Sequence, residues 1–319
     1  MIFRPFGGTL KKVSEIGLGL SQLSQTKNTK SYGYKSEKQV LSIIRHAIKK
    51  KINFFDTADT YGETEKILGN LSKREKNNII ISTKAGWKPD GNRCFKAKYL
   101  EQQLDRSLKN IKIEKIDLFM LNKPNFDEVN KEDLIHFLEK LKKKGKIELS
   151  GIIIGDANNF SKIISRKEID IFSILFNLNS TNHLSLINRI KKKKGIIIRS
   201  PLNSGLLSGK VNYNTKFHPG DERSNYFNNE ILKKKMVKIK ELQKKLNIND
   251  SSLLKFSMDF VLSNKFISTV LIGCSSMEQL KKILKYHSKT RYLSDKIYNK
   301  AIKCTKILTK KHRMSDQLL

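Results

Sequence analysis

An acid, a phenol, an amine and an amide lie at the ends of three successive apolar segments of the sequence. Asp56 and Tyr61 follow the first segment, Lys84 ends the second, and Asn122 ends the third. A buried lysine beside a tyrosine hydroxyl lowers the pKa of the phenol from its usual value of about 10, because the ammonium stabilises the phenolate. A carboxylate would hold such a lysine in position. A phenol tuned in this way can protonate a carbonyl oxygen while a hydride is added to the carbon.

Each of these residues also has an ordinary structural explanation when it is considered alone. Asp56 could cap a turn, Lys84 could extend into solvent, and Tyr61 could pack in a core. The chemical interpretation therefore depends on a fold that brings the ends of the three segments to one place.

Eight short β-type segments alternate with longer amphipathic helical segments along the 319 residues. Some, such as Ile79–Ile81, are apolar throughout, which is typical of parallel strands that are buried on both faces. The predicted strands are Ile16–Leu20, Asn53–Thr57, Ile79–Lys84, Ile116–Asn122, Ile147–Ile154, Ile171–Asn177, Gly195–Arg199 and Ser268–Ile272. This alternation predicts an α/β fold, a single-domain (β/α)8 TIM barrel. Barrel enzymes carry their reactive groups at the carboxyl ends of the strands, so this fold would bring the four groups together.

A doubly wound nucleotide-binding sheet is the alternative α/β fold. Its first strand is usually followed by a glycine-rich turn that opens a helix, but Gly17-Leu18-Gly19 lacks the third glycine and the helix. Two segments lie outside the barrel repeat, namely a long polar loop after the seventh strand, residues 200–231, and an extra C-terminal helix, Asp295–Leu308. We expect the barrel domain to span residues 1–308 and residues 309–319 to form a frayed tail.

The formal net charge of +34 has two possible explanations. Basic surfaces bind nucleic acids or anionic membranes, but lysines also collect in the last turns of helices, where a cation complements the helix dipole. Lys142–Lys144 and Lys191–Lys194 end predicted helices and precede Gly145 and Gly195, which suit a left-handed cap. We therefore expect solvated helix ends and no nucleic-acid partner, with polyanion binding as the weaker alternative.

Composition and residue spacing exclude several classes of protein. No segment approaches the roughly 18 consecutive apolar residues that indicate a membrane-spanning helix. Residues Met1–Lys12 are too polar for a secretory signal. The three cysteines are not clustered, and the six histidines show no metal-ligand spacing. We therefore expect a cytoplasmic protein with no metal site and no membrane partner.

Five motifs, in order along the chain, carry a resemblance to a known family. They are Phe55–Gly62, Ile81–Lys84, Ile116–Pro124, Ser200–Lys210 and Leu271–Leu280. With these motifs the sequence resembles the aldo-keto reductases from its first residues to position 285. The resemblance implies an NAD(P)H-dependent oxidoreductase that reduces an aldehyde or a ketone, including a sugar or a sugar derivative, to an alcohol.

The resemblance also assigns roles to individual residues. Tyr61 would be the general acid, Lys84 the residue that tunes its pKa, Asp56 the residue that holds Lys84, and Asn122 the fourth catalytic residue. The cofactor would be NADPH, with NADH as an alternative, and loop 200–231 would close over its pyrophosphate. The residues expected to bind the cofactor are Gly19, Asp56, Ser173, Arg199, Ser200, Pro201, Leu202, Gly205, Leu207, Gly209, Lys210, Gly273, Ser275 and Gln279.

The sequence departs from the family pattern at the fourth catalytic position. The family usually has histidine where this chain has Asn122, and asparagine can hydrogen-bond a carbonyl oxygen but cannot become a cation. A branch that resembles the potassium-channel β subunits also has asparagine there and is associated with slow carbonyl reduction. The alternative function is therefore a regulatory protein that binds the dinucleotide and has vestigial catalysis. The sequence does not indicate an oligomeric state or a particular carbonyl substrate.

The positions that would hold the nicotinamide also differ from the family pattern. Two polar residues that would bind the carboxamide are replaced by Ile153 and Ile154, the usual glutamine by Ser173, and the aromatic residue that stacks on the ring by Arg199. The residues that could compensate for these changes are Asp156, Asn158 and Asn177.

Overall fold

In the part of the chain that the structure describes, the apolar segments form ten β-strands, eight of which close into a parallel barrel. A computed structural model describes residues 1–24, 32, 35–129, 131–155, 163–190, 194–288 and 292–317, with side chains to residue 312. The strands are β1 (Phe3–Pro5), β2 (Lys12–Ser14), β3 (Ile16–Gly19), β4 (Phe54–Asp56), β5 (Ile80–Ala85), β6 (Ile116–Asn122), β7 (Ile147–Ile153), β8 (Ile171–Leu175), β9 (Gly195–Arg199) and β10 (Thr269–Gly273). The barrel runs in chain order from β3 to β10, which closes on β3. The predicted TIM barrel is confirmed.

Helices follow most of the barrel strands and surround the barrel. They are α1 (Glu37–Lys49), α2 (Thr64–Gly69), α3 (Lys73–Asn77), α4 (Ala97–Ile111), α5 (Phe126–Val129), α6 (Glu132–Lys143), α7 (Leu184–Ile190), α8 (Arg223–Tyr226), α9 (Asn229–Leu246), α10 (Asp250–Leu262), α11 (Met277–His287) and α12 (Asp295–Gln317). The last helix continues beyond Leu308, where the sequence analysis ended it, because residues 309–317 contain no glycine or proline to stop it. Among the described residues, no helix is both long and apolar enough to cross a membrane.

An antiparallel hairpin that the sequence analysis missed, β1–β2, covers the amino-terminal end of the barrel. Phe6 follows β1 and packs edge-on against Phe54, the first residue of β4, with 5.5 Å between ring centroids. Gly7 has a φ of 66°, and a Cβ atom there would lie 2.1 Å from the backbone nitrogen of Gly195. The hairpin therefore closes the end of the barrel at which the strands begin.

The register between β4 and β5 brings two reactive side chains together. Asp56 pairs with Ser82 across these strands. Because side chains alternate along a strand, Lys84 lies on the same face as Ser82 and one repeat nearer the carboxyl end. The ammonium of Lys84 can therefore reach the carboxylate of Asp56, which ends β4.

The lysine runs at helix ends follow the sequence interpretation only in part. Gly145, after α6, has a φ of 72°, so the predicted left-handed residue at this helix end is confirmed. Gly195 begins β9, which confirms the predicted strand Gly195–Arg199, but its φ is not left-handed, so the expected cap at this glycine is wrong. A Cβ atom there would lie 2.3 Å from the side chain of Ile171. Lys142 is not simply solvated, since it forms a salt bridge with Asp170. Residues 191–193 lie outside the described residues.

A buried glutamate ties the amino-terminal end of the barrel to the last helices. Glu15 is fully buried, and its carboxylate accepts hydrogen bonds from Arg4 Nη2 (2.7 Å) and Tyr292 Oη (2.8 Å). His287 Nε2 lies 2.7 Å from the other carboxylate oxygen. Burial opposes ionisation of this carboxyl, but the bonds from His287 and Tyr292 and the charge of Arg4 lower the pKa of Glu15 below its usual value.

The substitution Glu15→Gln should lower the free energy of unfolding by roughly 3 kcal/mol, because it removes the counter-ion of the nearly buried Arg4. Urea unfolding at neutral pH measures this loss. The control Glu230→Gln breaks an exposed pair with Lys234 and should cost less than about 1 kcal/mol. The difference between wild type and Glu15→Gln should shrink below about pH 4, because protonation then removes the Glu15 charge. Equal costs for both variants would contradict a structural role for this network.

Candidate active site

A cavity of about 1030 Å³ opens at the carboxyl ends of the barrel strands. Its lining combines residues that end the strands with residues of the long loop after β9. The site residues expected from the sequence that line it are Gly19, Asp56, Tyr61, Lys84, Asn122, Ser173, Arg199, Ser200, Pro201, Leu202, Gly205, Lys210, Gly273, Ser275 and Gln279. Trp87, at the end of the β5 segment, also lines the cavity. The fold thus brings most of the proposed residues to one place.

Asp56 and Lys84 form a buried ion pair in this cavity. Lys84 Nζ lies 2.6 Å from Asp56 Oδ2, and the two side chains are 4% and 8% exposed. The ammonium also donates to the main-chain oxygen of Thr57 at 2.6 Å, while Ser82 Oγ donates to Asp56 Oδ1 at 3.2 Å. Lys84 Nζ lies 4.6 Å from the centre of the Tyr61 ring. These contacts fix a positive charge beside the phenol.

The charges of this cluster determine which groups carry protons at neutral pH. Burial alone would lower the pKa of Lys84, but the Asp56 carboxylate raises it above its usual value, so Lys84 is an ammonium. Burial raises the pKa of the Tyr61 phenol, and the charge of Lys84 opposes this shift without reversing it. The expectation that Lys84 lowers the pKa of the phenol below its usual value is therefore wrong, because desolvation of the phenolate outweighs the lysine charge. Tyr61 holds its proton at neutral pH, as a proton donor must.

The neighbouring loop after β5 fixes the chain around Asn122. The main-chain oxygen of Asn122 accepts a hydrogen bond from Trp87 Nε1 at 2.9 Å. The next carbonyl, that of Lys123, accepts one from Arg93 Nη1 at 3.4 Å. Trp87 and Arg93 themselves form an isolated β-bridge. The end of β6 is thus held by contacts that leave the Asn122 side-chain amide for the cavity.

The positions expected to hold a nicotinamide ring are apolar or cationic. Ile153 and Ser173 line the cavity, whereas Ile154 is fully buried outside the lining. The main-chain oxygen of Ile154 accepts a hydrogen bond from Arg199 Nη2 at 2.9 Å. Arg199 Nε is buried and has no hydrogen-bond partner within the described chain. An unpaired buried donor of this kind indicates room for a polar ligand atom.

The residues named as substitutes for the usual carboxamide ligands do not supply one in the described structure. The side-chain amide of Asn177 donates to the main-chain oxygen of Ser200 at 2.9 Å, and Asn177 does not line the cavity. The expectation for Asn177 is therefore wrong, because the residue anchors the loop after β9. Asp156 and Asn158 lie outside the described residues.

The loop after β9 begins with an unusual backbone. Ser200, Asn203, Ser204 and Gly205 have φ angles of 56°, 48°, 55° and 91°. Left-handed residues interspersed with right-handed ones turn successive backbone N–H groups to one side, and such concave surfaces bind anions. All four lie in the predicted cofactor loop, and all except Asn203 line the cavity.

Two loop residues that the sequence analysis assigned to the cofactor have structural positions instead. Leu207 is fully buried in the hydrophobic core. Gly209 has a φ of 71°, and a Cβ atom there would lie 2.0 Å from the main-chain oxygen of Asp250. Neither residue lines the cavity. The assignment of Leu207 and Gly209 to the cofactor site is therefore corrected, because both hold the loop against the barrel and α10.

A second part of the same loop covers the cavity through Arg223. Its guanidinium forms a salt bridge with Asp221 (2.6 Å) and lies over the rings of Phe217 (4.5 Å) and Tyr32 (5.2 Å). Tyr32 and Asp221 also form an isolated β-bridge. Arg223, Tyr32 and Phe217 all line the cavity, and none of them was individually predicted as a site residue. Arg223 and Phe217 lie in loop 200–231, which was expected to close over the pyrophosphate.

The far end of the cavity is formed by β10 and the start of α11. Ser276 caps the helix by accepting from the backbone nitrogen of Gln279, and the Gln279 side chain accepts from the backbone nitrogen of Ser275 at 2.9 Å. A Cβ atom at Gly273 would lie 2.5 Å from the Gln22 side chain. A larger residue at Gly273 would therefore require the Gln22 side chain to move.

A second buried carboxyl lies beside the catalytic cluster. Both carboxylate oxygens of Asp59 are buried without a hydrogen-bond partner in the described chain, and its backbone nitrogen donates to the main-chain oxygen of Lys84. Burial, reinforced by the charge of Glu65, raises the pKa of Asp59 to about 7, although Arg106 and Lys84 oppose the shift. The sequence analysis missed this group, because burial of a residue between two turn residues leaves no periodic signal.

Comparison with known proteins agrees with this geometry. Residues 15–304 match the model of the Aldo/keto reductase family, so the chain belongs to that family and is an oxidoreductase. L-galactose dehydrogenase of Arabidopsis thaliana is 28% identical over 88% of this chain and 86% of its own length. L-glyceraldehyde 3-phosphate reductase of Escherichia coli O157:H7 is 27% identical over 76% of each chain. The holo form of an aldo-keto reductase from Bacillus halodurans superposes with a TM-score of 0.78, at 22% identity, over 95% of this chain and 96% of that one.

The Asp59 carboxyl should make the wild type less stable as the pH rises from about 4 to about 7. The folded protein holds this proton more tightly than the unfolded chain, so folding becomes less favourable as the proton is lost. The variant Asp59→Asn has the same shape without the charge. Its melting temperature relative to wild type should therefore be higher at about pH 8 than at about pH 5. Asp127→Asn, on exposed α5, is the control and should show no such change. A constant difference between Asp59→Asn and wild type would refute the buried titration.

Proposed function

We propose that this oxidoreductase reduces the carbonyl group of an aldehyde or ketone with NADPH or NADH, and that Tyr61 is the proton donor. The observation that carries this proposal is the buried Asp56–Lys84 pair beside the Tyr61 phenol. It lies in a cavity large enough for a dinucleotide and a small substrate together.

The residues around the cavity fit a nicotinamide dinucleotide. The left-handed residues Ser200 and Ser204 present backbone N–H groups that suit a pyrophosphate, whereas the N–H of Gly205 donates to the main-chain oxygen of Leu202. Lys210 adds a cation in the same loop. Gly273, Ser275 and Gln279, at the start of α11, would face the adenosine end, where a helix N-terminus favours phosphate. Ser173 and Arg199 would face the nicotinamide, with the orphaned Arg199 Nε available to it.

The catalytic work of the chain is proton transfer and charge stabilisation. When bound, the reduced dinucleotide supplies a hydride. Tyr61 donates its hydroxyl proton to the carbonyl oxygen, and the Lys84 ammonium stabilises the phenolate that remains. Asp56 keeps Lys84 charged and in place. Asn122 donates a hydrogen bond to the carbonyl oxygen but contributes no positive charge.

The names of the relatives support a hydroxylated substrate. The curated relatives include an L-galactose dehydrogenase and an L-glyceraldehyde 3-phosphate reductase, which act on a sugar and on a sugar phosphate by their names. We therefore propose a small sugar, a sugar derivative or a related hydroxyaldehyde as the substrate class. A cytoplasmic location and the absence of a nucleic-acid partner remain predictions from the sequence.

Asn122 favours a second candidate function, that of a dinucleotide-binding protein with vestigial turnover. An amide stabilises less developing charge than the protonated histidine usual in the family, so the chemical step is weakened. The two functions differ in turnover and agree in cofactor binding.

The first experiment combines cofactor titration with the Tyr61→Phe variant. Trp87 is the only tryptophan and lines the cavity, so its fluorescence reports NADPH and NADH binding directly. Wild type should bind one of them saturably and oxidise it with an aldehyde or sugar. Tyr61→Phe should lose at least about 100-fold in kcat, because the proton donor is gone, and should bind the cofactor as wild type does.

The matched control is Tyr298→Phe, which removes a phenolic hydroxyl outside the cavity and should keep wild-type turnover. Wild-type turnover in Tyr61→Phe would remove Tyr61 from the mechanism. Saturable binding without turnover of any carbonyl would favour the regulatory function. Failure to bind either dinucleotide, checked by thermal shift, would refute both.

Asn122→His should raise kcat for simple aldehydes by about tenfold, because an imidazolium can stabilise the developing oxyanion. Steady-state kinetics across the pH range checks this, and the gain should be larger at low pH, where the imidazole is protonated. Thermal unfolding should show that the fold is intact. A sharp fall in kcat in a folded variant would show that the amide itself has a positive role.

A further inference from the structure

A cation that has no counter-ion among the described residues lies at the catalytic end of the cavity. Lys123 follows Asn122 directly, lines the cavity, is exposed to it and has no salt bridge within the described chain. The surrounding walls and the charge of Arg199 lower the pKa of Lys123 below its usual value, and Glu222 opposes this more weakly. Two like charges are therefore held near each other, an arrangement that a bound anion would relieve.

The backbone holds Lys123 in this position at an energetic cost. Its φ is 58°, and its backbone nitrogen donates to the main-chain oxygen of Leu121 at 3.2 Å in a tight reversal. The left-handed conformation is unfavourable for lysine, because it brings the Cβ atom too close to the following carbonyl oxygen. The hydrogen bonds from Trp87 and Arg93 to the carbonyls of this reversal keep it in place. Strain maintained by surrounding contacts is typical of functional sites.

The other charges of the cavity do not neutralise Lys123. Asp56 and Asp221 form salt bridges with Lys84 and Arg223. Glu222 accepts a hydrogen bond from the Tyr226 hydroxyl, and its charge raises the pKa of Lys123 less than burial and Arg199 lower it. The remaining lining lysines, Lys210, Lys216 and Lys282, belong to the loop after β9 and to α11, the segments proposed to hold the dinucleotide. Lys123 instead directly follows β6, next to the residue proposed to face the carbonyl.

We propose that the carbonyl substrate carries an anionic group, a carboxylate or a phosphate monoester, and that Lys123 binds this group while Tyr61 and Asn122 engage the carbonyl. This inference rests on the proposed carbonyl reduction. Lys123 then determines substrate specificity, and the same contact orients the carbonyl. Arg199 adds to the positive potential that attracts the anion.

Two matched pairs of aldehydes test the proposal. They are 4-carboxybenzaldehyde with 4-methylbenzaldehyde, and glyceraldehyde 3-phosphate with glyceraldehyde. For each pair the ratio of kcat/KM, charged over neutral, is compared between wild type, Lys123→Met, Lys123→Arg and the control Lys131→Met, an exposed lysine outside the cavity. Comparing variants cancels differences in intrinsic reactivity within a pair.

Lys123→Met should lower the kcat/KM ratio about tenfold or more in at least one pair, as expected for a lost charge-assisted hydrogen bond. The arginine and control variants should keep it.

The pair that responds identifies the anion as a carboxylate or a phosphate. An unchanged ratio in both pairs would overturn the inference and leave the proposed function standing. Weaker NADPH binding by Lys123→Met would also overturn the inference, since Lys123 would then bind the cofactor.

If no aldehyde is reduced, the proposed function fails. Trp87 fluorescence of the NADP⁺ complex, titrated with 4-carboxybenzaldehyde and inorganic phosphate, then tests the anion site alone. Equal affinities of wild type and Lys123→Met for both probes would refute it.

Discussion

The ion pair between Asp56 and Lys84 is the interaction on which the active site depends. Two charges removed from water are stable only when each neutralises the other and the remaining hydrogen bonds are made. Thr57 and Ser82 make those bonds, so the charge of Lys84 is fixed in position before any ligand arrives. The other residues at the carboxyl ends of the strands lie around the ammonium of Lys84. This fixed charge determines which neighbouring group can become negative during the reaction.

The fold could be predicted because its strands are buried on both faces. Segments such as Ile196–Ile198 leave no alternative to a parallel sheet, and all eight barrel strands were located within a few residues. The β1–β2 hairpin was missed because two strands of three residues carry too short a pattern. Gly195 was assigned both to a helix cap and to the start of a strand, and only the strand assignment is confirmed. A glycine after a lysine run is compatible with either position, so the run alone does not distinguish them.

The positions of Asp56 and Lys84 could be predicted, because each lies at the end of a strand that the sequence identifies. Properties that depend on opposing energies could not be predicted from the sequence. The pKa of Tyr61 depends on burial against charge, and burial prevails. The places of Leu207 and Asn177 depend on which way a loop residue points, and a sequence motif does not encode that direction. The same limit concealed Arg223, whose partners come from separate segments.

The network at the amino-terminal end has a consequence for how the chain folds. Arg4 donates to the main-chain oxygens of Leu262 and Ile267, so the contacts that complete this end join residues about 260 positions apart. During synthesis at roughly 5–20 residues per second, Arg4 waits at least about ten seconds for these partners. Glu15 and the edge of β3 are exposed throughout that interval, because β10 pairs with β3. The barrel therefore closes only after β10 has been synthesised, and its first strands are the part of the nascent barrel that most needs protection from aggregation.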